Sequence, residues 1–327
     1  MPRLSVIVPC YNEQSTIQLL LEALYNQTIP RSEMEVVIAD GMSSDQTRQR
    51  VAEFQDQHPD LAVRIVDNLQ RTIPSGLNRA IEAAQGEYIV RLDAHCVPRP
   101  DYVAACVAAL EQGRGEVVGG VWEIQPGGSG WQARSIAVAA AHRLGVGDAR
   151  YRYSETAGQS DTVPFGAFRR SLVEKVGYYD ENLLTNEDYE FYVRVRQAGG
   201  VIWLDPAIRS VYFARRGFGD LRRQYARYGY WKARMLRRYP GTLRWRQALP
   251  PAFVLSLAIW ALLWLWFPLS GWLFVIELVT YALILTLVGL QTAWKHRDLA
   301  LVLGVPLAIA TMHFAWGSAF LWSVIFR

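Results

Sequence analysis

Three apolar stretches close the sequence, and each is about as long as a helix that crosses a lipid bilayer. They run over residues 249–267, 271–290 and 299–326, and a spanning helix needs about 20 such residues. Buried helices of a water-soluble core are the alternative, but three stretches in succession favour membrane spans. The sequence therefore predicts a transmembrane domain over residues 248–327, with the ionisable Glu277 and His313 facing its interior, where they could pair.

Basic residues are concentrated just before this tail. Residues 209–247 contain 12 Lys and Arg against 1 acidic residue, whereas residues 1–208 contain 19 against 27. A basic segment beside an apolar tail favours anionic membrane lipids over nucleic acid. We therefore expect interfacial helices over 209–247 and no nucleic-acid partner.

The distribution of charge also predicts how the chain crosses the membrane. Lys295–Arg297 form a basic loop between the second and third stretches, and basic loops stay on the cytoplasmic side. The apolar run at residues 4–9 is too short for a signal peptide. We therefore expect residues 1–208 to be cytoplasmic at the inner membrane, and three crossings would leave Arg327 outside.

The first 208 residues alternate between strand and helix patterns, which predicts an α/β domain with a mostly parallel sheet. The predicted strands are 4–8, 35–39, 62–66, 88–92 and 116–120, and the predicted helices are 14–25, 45–54, 75–84 and 101–110, with Asp45, Ser75 and Asp101 as caps. Ligands of such sheets bind beyond the carboxyl ends of the strands. The polar residues at 9–13, 40–45 and 93–95 are therefore candidates for a binding site.

Two pairs of polar residues in this domain have a chemical and a structural interpretation. Asp93 and His95 are spaced so that both side chains point to the same face of an extended chain, and they could bind Mg²⁺ or Mn²⁺. A turn cap and a surface histidine would have the same spacing. Glu187 and Asp188 begin a predicted helix, where acidic residues are stabilised by the helix dipole without any catalytic role.

Four motifs taken together resemble the inverting family 2 glycosyltransferases, which have the GT-A (Rossmann-like) fold. They are VIVPCYNE at 6–13, ADGMSSDQT at 39–47, RLDAHCVP at 91–98 and TNEDYEFYVRVRQAGG at 185–200. DAH in place of the common DxD, QYARYG at 224–229 and MHFAWG at 312–317 are similar to the ExoA-like branch, which is involved in bacterial exopolysaccharide assembly. The resemblance covers nearly the whole chain.

The resemblance implies roles for individual residues. Asp188 would be the catalytic base, supported by Glu187, and a divalent cation, Mg²⁺ or Mn²⁺, would be held by Asp93 and His95. The donor nucleotide would be bound by Pro9, Tyr11, Glu13, Asp40 and Asp93. Arg71 and Asn78 are assigned to the donor side because they lie near the start of a predicted helix whose N-terminus could face the diphosphate. The acceptor or the pyrophosphate would be bound by Phe165, Gly166, Ala167, Gln224, Arg227 and Tyr228, the last three resembling the QxxRW motif of processive synthases.

These residues predict a membrane-bound inverting enzyme that transfers a sugar from a nucleotide diphosphate sugar, foremost a UDP-sugar, to a lipid-linked saccharide. Transfer to polyprenyl phosphate itself is one alternative, and processive polysaccharide synthesis is another, although three spans are few for an export channel. An inactive scaffold would keep the fold but lose the carboxylates, which are present at Asp40, Asp93 and Asp188.

Overall fold

The structure is a computed structural model that describes residues 2–326. It divides into two compact units. The first unit contains the residues up to 123 and residues 150–212, and the second contains 124–149 and 213–326. The expected α/β domain of residues 1–208 lies mostly in the first unit, from which residues 124–149 are set apart.

The first half of the first unit alternates strands and helices as predicted. Its elements are β1 (Leu4–Cys10), α1 (Ile17–Tyr25), β2 (Met34–Asp40), α2 (Thr47–Gln57), β3 (Ala62–Asp67), α3 (Ile73–Ala83) and β4 (Tyr88–Arg91). The four strands lie side by side in the order β3-β2-β1-β4, and all three pairings are parallel. The parallel sheet that the sequence predicts is therefore present in this half.

The second half of the first unit extends this sheet with antiparallel pairings. Its elements are β5 (Val97–Pro98), α4 (Tyr102–Glu111), β6 (Val117–Gln125), β7 (Gly158–Gln159), β8 (Ala167–Arg169), α7 (Ser171–Val176), α8 (Glu187–Gln197) and β9 (Ile202–Phe213). Between β6 and β7 the chain forms α5 (Trp131–Ala141) and α6 (Arg143–Val146), which belong to the second unit. β8 pairs antiparallel with both β4 and β6. The 9-stranded sheet of the described residues is therefore mixed, and β9 continues past residue 208, where the sequence analysis ended the domain.

Apolar side chains cover both faces of the sheet, which explains the continuous apolar runs in the strands. Val6 and Val8 of β1 pack into one core cluster, and Ile7, between them, packs into the other. Alternate residues of a strand point to opposite faces, so a strand buried on both sides must be apolar throughout. The two-sided core is what places the polar strand ends at an edge of the sheet.

The helix starts differ in detail from the predicted caps. Ser75 is not a cap, because α3 begins earlier and the Thr72 hydroxyl accepts from the Ser75 amide at 3.4 Å. Asp101 is the N-cap residue of α4 but makes no side-chain capping bond in the described chain. The N-cap residue of α2 is Gln46 rather than Asp45, although Asp45 accepts from the Thr47 amide at 3.0 Å.

The second unit is helical. After α5 and α6 it contains α9 (Phe218–Arg238), α10 (Trp245–Leu263), α11 (Pro268–His296) and α12 (Leu301–Ile325). Within residues 2–326, the last three are the helices long and apolar enough to cross a membrane. They match the three predicted stretches, although α10 begins before residue 249. Arg327 lies outside the described residues.

Glu277 and His313, the ionisable residues within the predicted spans, do not pair with each other. The Ser256 hydroxyl donates to Glu277 Oε1 at 2.6 Å. His313 Nε2 lies 3.0 Å from the Leu144 carbonyl oxygen, and its Nδ1 lies 3.0 Å from the Tyr281 hydroxyl. A carbonyl can only accept, so Nε2 donates and the neutral ring accepts from Tyr281. Each group therefore has its own polar partner, as expected at low dielectric.

We expect Gly120→Ala to destabilise the first unit, because a Cβ at this position would overlap the carbonyl oxygen of Ile208 on β9. Overpacking of this kind costs about 1–3 kcal/mol, measured as a lower denaturant midpoint. Gly130→Ala is the control, since a Cβ there meets no atom of the described chain within 4 Å. Equal midpoints for the two variants would contradict this prediction.

Candidate active site

The polar strand ends meet at one edge of the sheet. Ile7 of β1 pairs with Arg91 of β4, and Cys10 pairs with Asp40 of β2. Because these strands are parallel, the residues that follow them emerge on the same side. The structure thus brings together three of the predicted groups, at 9–13, 40–45 and 93–95.

A direct contact joins two of these groups. His95 Nδ1 lies 3.0 Å from Glu13 Oε1, and the Thr16 hydroxyl donates to Glu13 Oε2 at 2.6 Å. Burial opposes ionisation of Glu13, but the hydrogen bonds from His95 and Thr16 lower the pKa of Glu13 below its usual value. An ionised carboxylate fixes the ring orientation of a histidine, as it does beside many metal-bound histidines.

Arg91 is the central residue of the site, and the sequence analysis did not identify it. Its side chain is 6% exposed, and Nη2 donates to Asp93 Oδ1 at 3.3 Å and to Glu187 Oε1 at 3.0 Å. Burial opposes its charge, but Asp93, Glu187 and Asp188 raise the pKa of Arg91 above its usual value. The sequence feature that could have indicated its role is a charged residue at the end of an otherwise apolar strand.

The acidic pair stands in the first turn of α8. Asn186 precedes it in the left-handed region, with φ of 66°, and asparagine tolerates this conformation better than most residues. Burial, opposed by Arg91 and reinforced by Asp188, raises the pKa of Glu187 to about 7. Burial also raises the pKa of Asp188. Both carboxyl groups are therefore poised closer to neutral pH than ordinary acidic residues.

Asp40 is buried, and its acceptor atoms already have partners within the chain. Oδ2 accepts from the Ser43 amide at 3.0 Å and from Arg48 Nε at 2.5 Å, and Oδ1 accepts from the Ser43 hydroxyl at 2.5 Å. The Arg48 side chain also reaches Asp67 at 2.5 Å. Recognition of a base by Asp40 would require one of these contacts to be shared or exchanged.

The other predicted donor residues lie on the loops around these strand ends. Tyr11 is 46% exposed, and its side chain lies against Gly41, where a Cβ would be 3.2 Å from the ring. Pro9 is half-buried in β1, and Arg71 is exposed at the end of the β3–α3 loop with φ of 58°. An exposed ring beside a glycine is a suitable surface on which a planar ligand can stack.

Asn78 has a structural role that the sequence analysis did not anticipate. It is buried in α3, its Nδ2 donates to the Tyr179 carbonyl and to Glu181 Oε1, both at 2.9 Å, and its Oδ1 accepts from the Tyr179 amide at 2.9 Å. The amide thus fastens the segment before α8 to α3. These contacts engage both polar atoms of the Asn78 amide, and the expected donor role of this residue stays a prediction.

The residues at 165–167 take part in the protein's own packing. A Cβ at Gly166 would overlap the Tyr192 hydroxyl, which accepts from the Gly166 amide at 3.2 Å. Ala167 is fully buried in β8. Phe165 is buried with φ of 48°, and its carbonyl accepts from Tyr102 at 3.3 Å. A larger side chain at Gly166 would displace Tyr192 and with it α8, and the acceptor role expected of these residues stays a prediction.

An aromatic cluster beside Phe165 was also not identified from the sequence. Trp122 stacks on Tyr212 with ring centroids 4.1 Å apart, contacts Tyr151 edge-on, and lies 5.9 Å from the Phe165 ring. The Arg152 guanidinium lies 5.0 Å from the Trp122 ring. Aromatic faces are common surfaces for binding sugars, and the cluster is a candidate acceptor platform.

The QxxRW-like residues belong to the second unit. Gln224 and Tyr228 are four residues apart on α9, and Gln224 Nε2 donates to the Tyr228 hydroxyl at 2.9 Å. Arg227 is exposed on the same helix. Residues four apart share one face of a helix, so Gln224 and Tyr228 form one polar surface.

Comparison with known proteins shows the family of this chain. The sequence profile of Glycosyl transferase family 2 matches residues 5–177. The chain is 31% identical to the succinoglycan biosynthesis protein ExoA of Rhizobium meliloti (strain 1021), over 96% of this chain and 93% of that protein. The chain belongs to glycosyltransferase family 2. The predicted ExoA-like branch is also confirmed.

Other proteins resemble this glycosyltransferase over most of its length. It is 27% identical to a dolichyl N-acetyl-α-D-glucosaminyl phosphate 3-β-D-2,3-diacetamido-2,3-dideoxy-β-D-glucuronosyltransferase of Methanococcus voltae, over 74% of this chain and 76% of that protein. The solved mannosyltransferase PcManGT of Pyrobaculum calidifontis, in complex with GDP-Man and Mn²⁺, aligns with a TM-score of 0.66 at 21% identity, over 95% of this chain and 87% of its own. The predicted GT-A fold is thereby confirmed.

We expect Glu187→Gln to change how the stability of this glycosyltransferase depends on pH. Between the ordinary pKa of 4.5 and the folded pKa of about 7, the folded protein retains a proton on Glu187 that the unfolded chain has released. The free energy of unfolding of the wild type should therefore fall as pH rises through this window, relative to the variant. Denaturant titrations across the window measure the difference.

Glu155→Gln provides the matched control, because Glu155 is an exposed residue. Its pH profile should follow that of the wild type. If Glu187→Gln also followed the wild-type profile, the pKa of Glu187 would not be raised in the folded protein.

Proposed function

We propose that this glycosyltransferase is an inverting hexosyltransferase. It transfers a sugar from a nucleotide diphosphate sugar, foremost a UDP-sugar, to a hydroxyl of a lipid-linked saccharide during cell-surface or exopolysaccharide assembly. The ExoA relative and the dolichyl-linked substrate in the name of the Methanococcus voltae relative support this class of acceptor. The GDP-Man and UDP-GlcNAc complexes of solved neighbours support a nucleotide sugar as the donor.

The single observation that carries the proposal is the pair of ionic contacts made by Arg91. One guanidinium nitrogen lies 3.3 Å from the carboxylate of Asp93 and 3.0 Å from that of Glu187. The strand-end carboxylate and the acidic pair of α8 therefore belong to one site, although 96 residues separate Arg91 from Glu187. A glycosyl transfer needs both parts, one at the leaving diphosphate and one at the attacking hydroxyl.

Asp188 is the proposed catalytic base. The acceptor oxygen attacks the anomeric carbon while the bond to the diphosphate breaks, and the hydroxyl proton passes to the Asp188 carboxylate. Attack opposite the leaving group inverts the configuration. Burial raises the pKa of Asp188 from its ordinary value, which brings the base closer to the pH at which it works. Glu187 and Arg91 position the first turn of α8 for this step.

Asp93 and His95 are the residues that would hold the divalent cation. A hard cation accepts a carboxylate oxygen, a borderline one such as Mn²⁺ also accepts imidazole, and the Glu13 carboxylate orients the His95 ring. Among the described residues no group of three or more His, Cys, Asp or Glu could enclose a metal ion. This fits a cation held by one or two side chains and by substrate phosphates, whose charge stabilises the leaving diphosphate.

The remaining parts of the proposal concern the acceptor and the membrane. We place the first unit on the cytoplasmic side of the inner membrane, because nucleotide sugars are made in the cytoplasm. The basic helix α9 would lie at the interface with anionic lipids, as the charge of residues 209–247 predicts. Its Gln224, Arg227 and Tyr228 are proposed to contact the acceptor or its pyrophosphate, an assignment based on the motif alone.

We expect Asp188→Asn to reduce kcat by about 10² to 10⁴, because a general base contributes this much to the rate. Binding of the nucleotide sugar should be almost unchanged, since the variant keeps the shape of the side chain. Release of nucleoside diphosphate measures turnover, and calorimetry measures donor binding. Asp56→Asn, on the exposed side of α2, is the matched control. Wild-type turnover by Asp188→Asn would leave this residue only a stabilising role in the first turn of α8.

The proposed metal site predicts a dependence of donor binding on divalent cations. EDTA and Asp93→Ala should each weaken binding of the nucleoside diphosphate and abolish transfer, and added Mn²⁺ or Mg²⁺ should reverse only the effect of EDTA. His95→Asp should shift the preference towards Mg²⁺, because a carboxylate is a harder ligand than imidazole. Full activity in EDTA would exclude the metal, and an unchanged metal preference would exclude His95 as its ligand.

A further inference from the structure

The packing of the second unit bears on which helices enter the membrane. All of the contacts concerned lie within this unit and do not depend on the proposed reaction. α10 and α11 are largely uncovered, since only 11% of the 18-residue apolar segment of each is buried. The corresponding share for α12 is 39%. α12 is therefore more covered by the rest of the unit than α10 or α11, although its composition is also that of a membrane span.

The C-terminal half of α12 is covered by α9. A Cβ at Gly229 of α9 would overlap the backbone of Trp316 on α12. Farther along both helices, Arg237 donates to the Ser323 carbonyl at 2.5 Å. The two contacts are eight residues apart on α9 and seven apart on α12, so the helices run side by side in the same direction. This half of α12 can therefore enter the lipid bilayer only if α9, which lies beside it, enters as well.

α9 carries charges along its whole length. Its exposed arginines are Arg222, Arg223, Arg227, Arg237 and Arg238. The first and last of them are 16 residues apart, which is about 24 Å of helix, against a hydrocarbon core of about 30 Å. If α12 crossed the bilayer, α9 would have to cross with it and would carry these side chains into the lipid. Charged side chains on a lipid-facing surface are rare in membranes because their desolvation is costly.

The N-terminal half of α12 is covered by α5 and α6. A Cβ at Gly304 would overlap Ser135 of α5, and His313 Nε2 lies 3.0 Å from the Leu144 carbonyl of α6. Arg134 of α5 also pairs with Asp298, just before α12, at 2.9 Å. Close approach of small residues is a way in which helices pack tightly. Protein therefore covers one side of α12 along its entire length.

The hairpin of α10 and α11 has the opposite character. Between residues 255 and 284, the exposed large side chains are apolar, and they include Leu262, Trp264, Leu265, Trp266 and Trp272. The one ionisable carboxylate in this stretch, Glu277, accepts from Ser256 of the facing helix at 2.6 Å. Tryptophans at the turn between the helices fit a membrane environment. This surface has the chemistry of a lipid contact.

We propose that only the part of the α10–α11 hairpin around its turn enters the lipid bilayer, and that α12, whose His313 contacts Tyr281 nearer the base of the hairpin, remains outside it, against α9. The partner of the hairpin surface is the bilayer itself, and the arginines of α9 face the anionic headgroups from the aqueous side. Consequently the end of α12 lies on the same side of the membrane as α9. Three crossings, which the apolar stretches alone predict, would place the two on opposite sides.

Cysteine labelling in sealed membrane vesicles of both orientations tests this topology with the full chain. The native thiols Cys10, Cys96 and Cys106 are buried, so the wild type supplies the background. Phe326→Cys reports the end of α12, and Arg222→Cys reports α9. A membrane-impermeant maleimide should label both variants in the same vesicle orientation and neither in the other.

Labelling of the two variants in opposite orientations would overturn the proposal. So would labelling of Phe326→Cys in neither orientation but in detergent, since that result would place the end of α12 within lipid. A protease-cleavable epitope appended to the C-terminal end gives a second measurement without any substitution. Its cleavage in the vesicles that expose α9 supports the proposal, and cleavage only in those of opposite orientation refutes it.

Discussion

The candidate site depends on a cation that is almost entirely out of water. Arg91 loses nearly all of its hydration in the core of the first unit, and the carboxylates of Asp93 and Glu187 compensate for that loss. A buried charge without such partners would be strongly destabilising. The same contacts set the separation of the strand-end carboxylate from the first turn of α8. The stability of the core and the geometry of the chemistry therefore rest on one side chain.

Strand ends were the part of this site that sequence could predict. Parallel strands buried on both faces are read from apolar runs such as 4–8 and 35–39, and chain direction then places residues 9–13, 40–45 and 93–95 at one edge. No local pattern could show that Arg91 meets Glu187, since their contact spans 96 residues. The antiparallel strands β5 and β7 contain two residues each, which is too short for any periodicity to develop.

Buried polar residues were harder to assign because a structural and a catalytic group have the same chemistry. Asn78 and Glu187 are both polar, buried and held by hydrogen bonds. The difference lies in their partners, since Asn78 serves the backbone of Tyr179 while Glu187 meets a cation shared with Asp93. Gly166 is similar, since its lack of a side chain accommodates the Tyr192 hydroxyl, a contact that the sequence does not show. Residue type alone does not show which neighbour a buried residue contacts.

The same ambiguity applies to the apolar helices of the second unit. Hydropathy measures how unfavourable water is for a segment, and lipid and a protein interior relieve that cost equally well. α11 and α12 therefore look alike as sequences, yet one is mostly uncovered and the other lies against α5, α6 and α9. The arginines of α9 break this equivalence, because a charged helix can share an aqueous interface but not a hydrocarbon core. In the proposed topology, the charge of a neighbouring helix constrains the position of α12 more than its own composition does.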